Sequence, residues 1–158
     1  RTNPIPRDPG EFPSMYSSIL VATDGSENSD YAVRNAVNIA KKNGAPLTVL
    51  YVIDPSSLSN IAGALDSAEN IESAALSASA DAFARSGELC ASAGVELNTK
   101  VLIGQPADMI TQESANHDLV VCGSVGRTNA KRAVLGSVAE KVVRSAYCPV
   151  LVCRKSQG

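Results

Sequence analysis

A chain of 158 residues, 44% of them hydrophobic, can bury one core and not a second, so a single domain with a single site is expected. Its 14 basic residues stand against 16 acidic ones, a formal net charge of -2, which gives no broad attraction for nucleic acid or anionic membrane, so phosphate recognition has to be local. No apolar run approaches the roughly 20 residues that cross a bilayer, and the first residues lack the basic-then-apolar layout of a secretory leader; a soluble cytoplasmic protein is expected.

Residues 1–14 hold four of the eight prolines and no periodicity. Arg7-Asp8-Pro9-Gly10-Glu11-Phe12 resembles translated cloning-site sequence, so the stretch reads as a cloning remnant or a proline-rich disordered arm, with the folded domain at 15–155. From Met15 onward, short runs rich in Val, Ile and Leu alternate with longer segments of helical spacing. Compact runs at 19–22, 47–53, 119–122 and 150–152 suit strands covered on both faces, whereas 95–103 alternates and suits a more exposed strand. Between the first two, Ser26 can cap a helix whose Ala32, Val33, Ala36, Val37 and Ala40 share one face, and Gly44 suits its left-handed C-terminal position. A second helix is expected at about 65–93 on the strength of Ile71, Ala75, Leu76, Phe83 and Leu89, a flexible Ala/Ser linker being the alternative. Pro106 fits the first turn of a third helix, and a fourth should begin near Ser137 and stop before Cys148-Pro149.

That order predicts an α/β fold: a doubly wound, five-stranded parallel sheet with helices on both faces, whose ligands sit beyond the carboxyl ends of the strands where strand order reverses. Cys90, Cys122, Cys148 and Cys153 form no C-x-x-C pair, which argues against zinc, and read as small buried thiols of a reducing compartment, with redox sensing as the alternative. His117, the only histidine, has no evident sequence partner and reads as a surface residue.

The most informative loop runs Gly123-Ser124-Val125-Gly126, then Arg127 through Leu135, then Gly136-Ser137, from a strand end into a helix start. Glycines allow backbone amides to approach phosphate oxygens, and a helix start adds free amides and the positive end of its dipole. Arg127, Lys131 and Arg132 concentrate cations there, which suits a polyphosphate, although a solvated basic loop would share that composition. After the first strand, Thr23-Asp24-Gly25-Ser26 is neither the dinucleotide G-x-G-x-x-G nor a P-loop, so dehydrogenase and P-loop kinase chemistry drop away. Asp24 in that setting also suits an ordinary turn or helix cap.

Gly, two residues, Gly, nine residues, then Gly-Ser resembles the nucleotide motif of the ATP-binding universal stress proteins. Similar too are the opening from Met15 to Ser26, the strand end Val52-Ile53-Asp54, the stretch Leu135-Gly136-Ser137-Val138-Ala139-Glu140-Lys141-Val142 and the close Cys148-Pro149-Val150-Leu151-Val152. The resemblance implies that Ala22 and Thr23 line a pocket, that Asp24 meets ribose or base and that the Val52 backbone meets the adenine edge. It places Gly123, Ser124, Gly126, Arg127, Gly136, Ser137 and Val138 around ribose and phosphates. Val125 departs from the pattern, since relatives often carry a polar residue there. ATP, with Mg2+ or Mn2+ carried on its phosphates, is the implied cofactor, and a homodimer through residues 149–153 is the implied assembly. A nucleotide-dependent stress-response regulator is thus expected. A slow ATP hydrolase or phosphotransfer enzyme, or a dimeric interaction module with incidental nucleotide, are the rivals.

Overall fold

The computed structural model describes residues 15–56, 68–125 and 135–155, with side chains from 73 onward in the second segment. In chain order the elements are β1 (Ile19–Thr23), α1 (Glu27–Asn43), β2 (Leu47–Ile53), α2 (Ala68–Ala93), β3 (Leu97–Ile103), α3 (Pro106–Ser114), β4 (Leu119–Gly123), α4 (Ser137–Ser145) and β5 (Val150–Cys153). The five strands form one parallel sheet in the order β3-β2-β1-β4-β5. The chain therefore winds outward from β1 to β3, returns to the other side of β1, and winds outward again. The expected fold class is correct.

Alternation along the central strands assigns the two faces. Ile19 and Val21 of β1, Leu47 and Val49 of β2, and Leu119 and Val121 of β4 pack under α1 with Ala32, Val33, Ala36, Val37 and Ala40. Leu20, Leu50 and Val120 point the other way, against Ala107 and Ile110 of α3 and Val142 of α4. Each aliphatic side chain removed from water in this way stabilises the fold by roughly 1.5–3 kcal/mol before conformational entropy is counted.

Helix ends follow the local chemistry. Ser26 caps α1 by accepting from the Ser29 amide, and Gly44 closes it at φ 60. Gly94, at φ 70, ends α2, and the Val95 amide donates to Cys90 O at 2.9 Å. That bond makes Val95 part of the helix closure, which is why β3 starts at Leu97 and not at residue 95 as the alternation suggested. The Ala- and Ser-rich segment is helical, with Ala75, Ser79, Ala82, Ser86 and Cys90 buried along one stripe. Ser79 and Ser86 satisfy their hydroxyls on the carbonyls of Leu76 and Ala82, each at 2.9 Å. None of the helices among the described residues is long and apolar enough to cross a membrane.

His117 corrects the sequence reading. Its side chain is only 7% exposed, lying between Ser18 Oγ, 2.8 Å from Nδ1, and Glu113 Oε2, 3.0 Å from Nε2. Lys100 Nζ donates to the other Glu113 oxygen at 2.7 Å. Glu113 stands four residues before His117, a spacing visible in the sequence, whereas Ser18 before β1 and Lys100 on β3 are brought in only by the fold.

Candidate functional site

The pairing of β1 with β4 ends at Val21↔Val121, two residues short of the end of either strand. Above that point the sheet opens, and the opening coincides with the reversal of strand order. A cleft of about 370 Å³ occupies it. Ala22, Thr23, Asp24, Val52, Gly123, Ser124, Gly136, Ser137 and Val138 all line this cleft, so nine of the residues singled out by sequence come together in space. Gly126 and Arg127, with Lys131 and Arg132, lie outside the described residues.

Backbone parity aims two of the lining residues. The Ile53 carbonyl accepts from the Gly104 amide at 2.9 Å, so Ile53 faces β3 and the N–H and C=O of Val52 turn toward β1. The β1–β2 pairing has its last partners at Thr23↔Tyr51, one residue below Val52. On the other side, the Ser124 amide donates to Cys153 O at 3.0 Å, so by the same parity the backbone of Gly123 turns toward β1. In the last β1–β2 pair the Val52 N–H is by the same parity given to the Thr23 carbonyl, so the end of β1 is flanked by the open Val52 carbonyl on one side and the Gly123 backbone on the other.

At Gly136 the need for glycine comes from a contact within the protein. The Gly136 amide donates to Ser124 O at 2.7 Å, and a Cβ at Gly136 would stand 3.0 Å from that oxygen and 3.3 Å from Val125 Cα. Glycine is needed here because the two ends of the loop touch each other. The amides of Gly136 and Ser124 serve that contact and the sheet, leaving the first turn of α4 as the available donor group. There Ser137 and Val138 have N–H groups with no intrahelical acceptor, and Ser137 adds its hydroxyl.

Asp24 is held from the start of α1: Ser26 N–H donates to its Oδ1 at 2.9 Å and Ser29 Oγ lies 3.0 Å from the same atom. The turn-and-cap bonding that its sequence context suggested is therefore present, and the residue lines the cleft as well. Arg85 of α2 ties the loop down by donating to Gly25 O at 3.2 Å while pairing with Asp30 at 2.9 Å.

Several lining residues escaped sequence reasoning. Ser29, buried on α1, and Tyr51, whose hydroxyl donates to Asp24 O at 3.4 Å, belong to core-facing patterns that hide a second role. Ala74, Ala75 and Ala78 form the α2 side, and Pro106 and Ile110 the α3 side. The only available signal was the run of small residues in α2, which leaves room beside the sheet. Cys122 also lines the cleft, with its thiol pushed up to about 11 by burial and by the nearby Cys153, so it is a poor nucleophile. All four cysteines are free. Among the described lining residues none is cationic.

Comparison with known proteins agrees with this fold. The model of the universal stress protein family matches residues 15–154. The chain belongs to that family. It is 37% identical over 144 residues to a universal stress protein of Methanocaldococcus jannaschii, covering 90% of this chain and 84% of that one. Among solved structures it is similar to the universal stress protein UspA from Lactobacillus plantarum, with TM-score 0.74 and 31% identity over 88% of this chain and 98% of the other. A family member solved in complex with cAMP superposes with TM-score 0.63 at 26% identity, over 90% of this chain and all of that one (100%).

Proposed function

We propose that the cleft binds an adenine nucleotide, ATP foremost, and that the protein is a nucleotide-dependent regulatory dimer of the cytoplasmic stress response, not an efficient enzyme. The observation that carries the reading is the meeting of Asp24, the Val52 backbone and the start of α4 at one opening of the sheet. The relative complexed with cAMP supports it, since that ligand is itself an adenine nucleotide.

In this reading the open carbonyl of the Val52 backbone takes the adenine edge and Asp24 takes the ribose. The amides of Ser137 and Val138 receive phosphate, as helix starts do. Gly123 and Ser124 shape the floor, and Arg127 with Gly126 completes the phosphate grip that the motif implies. Mg2+ or Mn2+ on the phosphates would neutralise part of their charge. Among the described residues no three His, Cys, Asp or Glu side chains cluster to hold a metal by themselves, so the phosphates would supply most of its ligands.

Titration calorimetry tests the reading: ATP is expected to bind and GTP to bind far more weakly. ATP at 100 times its dissociation constant should stabilise the fold by about 2.7 kcal/mol and raise Tm by roughly 5–10 °C. No heat and no Tm change with any adenine nucleotide would remove the proposal. Fast phosphoryl transfer needs a base or water-orienting group at the terminal phosphate. Val125 cannot serve, His117 is enclosed by Ser18 and Glu113, and the cleft carboxylates Asp24 and Asp54 follow β1 and β2, the side assigned to adenosine. Turnover is therefore expected below about 1 per second, and faster hydrolysis would favour the enzyme reading.

The dimer is proposed through the outer edge of β5. The Val150 side chain packs into the cluster under α3 and α4, so the edge offers its backbone and not that side chain. The carbonyls of Pro149 and Cys153 face β4, so by parity the backbone groups of Val150 and Val152 face outward, and an antiparallel copy could pair with them. Val152→Pro removes an outward N–H without touching the β4 ladder. It is expected to convert a dimer to a monomer in sedimentation at micromolar concentration, and a wild-type monomer there would refute the assembly.

A further inference from the structure

We infer that Ser29 is a positioning residue whose hydroxyl, carried on the first turn of α1, sets the Asp24 carboxylate toward the diol of a bound ribose. The inference rests on the reading of the cleft as an adenine-nucleotide site. Asp24 leaves the end of β1 and precedes Gly25, which sits at φ 81, so the local backbone offers little restraint of its own. Restraint comes from α1. Ser29 is 5% exposed yet lines the cleft, and its Oγ lies 3.0 Å from Asp24 Oδ1, 3.0 Å from Thr23 Oγ1 and 2.9 Å from Ser26 O.

A hydroxyl has one proton to donate and two lone pairs. Asp24 Oδ1 and Ser26 O both only accept, and the bond to the ionised carboxylate is the stronger of the two. With the Ser29 proton given to Asp24, the Thr23 contact has Thr23 donating to Ser29 Oγ while Thr23 Oγ1 accepts from the Gly25 amide at 3.1 Å; the Asp24 amide and Ser26 Oγ also approach Ser29 Oγ, each at 3.3 Å. The result is a one-way chain, Gly25 N–H to Thr23 hydroxyl to Ser29 hydroxyl to carboxylate, in which each bond polarises the next. With Ser26 N–H on the same oxygen, two donors from the start of α1 orient Asp24. Capping does not account for the Ser29 hydroxyl, because Ser26 Oγ already fills that role for α1.

The test titrates wild type, Ser29→Ala, Asp24→Asn and the double variant with ATP and with 2′,3′-dideoxy-ATP, after circular dichroism confirms folding. Ser29→Ala should weaken ATP about tenfold, the worth of one oriented charge-assisted bond, and leave the dideoxy nucleotide within about twofold. The double variant should bind ATP no more weakly than Asp24→Asn alone, because both changes remove the same contact. Thr23→Val, which breaks the preceding link at similar volume, should give a smaller loss of the same selectivity and supplies the readout should Ser29→Ala fail to fold. Equal losses for both nucleotides, or unchanged ATP affinity, overturn the positioning role while the cleft reading stands. A wild type that binds neither nucleotide overturns both.

Discussion

Gly136→Val is expected to weaken ATP binding by about 100-fold or more while the domain still folds. At φ -63 and ψ 154 the position has ordinary extended backbone, so a branched residue adds no backbone strain. The obstacle is contact: its Cβ would stand 3.0 Å from Ser124 O, a backbone atom of the residue just after β4, which is held to Cys153 O through its amide and cannot swing aside as a side chain could. Relief requires the start of α4 to move away from β4, stretching the 2.7 Å bond from the Gly136 amide to Ser124 O. The Ser137 and Val138 amides move with it. Losing two charge-assisted hydrogen bonds of roughly 1.5–3 kcal/mol each accounts for the effect. Calorimetric titration of the folded variant measures it, and unchanged affinity would rule this loop out of the binding site. Gly126→Val, outside the described residues, should act in the same direction if the motif's second glycine approaches phosphate.

Glu113→Ala is expected to destabilise the fold by about 3 kcal/mol, the lower end of the range for breaking a buried ion pair, lowering Tm by roughly 6–12 °C. The Glu113 side chain is 9% exposed and bridges Lys100 and His117. Lys100 is 44% exposed and water can take over its charge, whereas His117, at 7%, keeps a ring nitrogen with no replacement partner. Burial by itself pushes the Glu113 carboxyl up, but hydrogen bonds and charge from Lys100 and His117 outweigh it and hold it below its ordinary value of 4.5. A carboxyl lowered in the folded state contributes stability that is fully present above its unfolded pKa and is lost as pH falls through its folded pKa. The wild type should therefore lose this increment below about pH 4.5, and Glu113→Ala should flatten that part of the acid-unfolding curve. A loss under about 1 kcal/mol with an unchanged acid limb would show that the bridge is solvated after all.

Local pattern carried most of the architecture. The α1 stripe and its caps at Ser26 and Gly44 were legible because a helix buries one face at fixed spacing and needs defined chemistry at its ends. The strands were legible because parallel sheets covered on both sides admit little but aliphatic residues. Boundaries were less so: Val95 is apolar and adjoins the β3 pattern, yet its amide closes α2.

By itself, then, the sequence determined the fold class, the family resemblance and nine of the residues that line the cleft, since each depends on motifs or spacings within a few tens of residues. Tertiary structure alone decided what those residues do for one another. Only the strand order puts the ends of β1 and β4 side by side and opens the sheet between them, and only contact geometry shows that Gly136 serves the closure of its own loop. The enclosure of His117 belongs with these, because its partner Ser18 is 99 residues away. Spacing along a chain reports which face a residue takes, but partners brought together by the winding of a sheet share no local period, so the contact of His117 with Ser18 appears only after folding, and even the short-range bonds of Ser29 gain their meaning only when the cleft forms beside them.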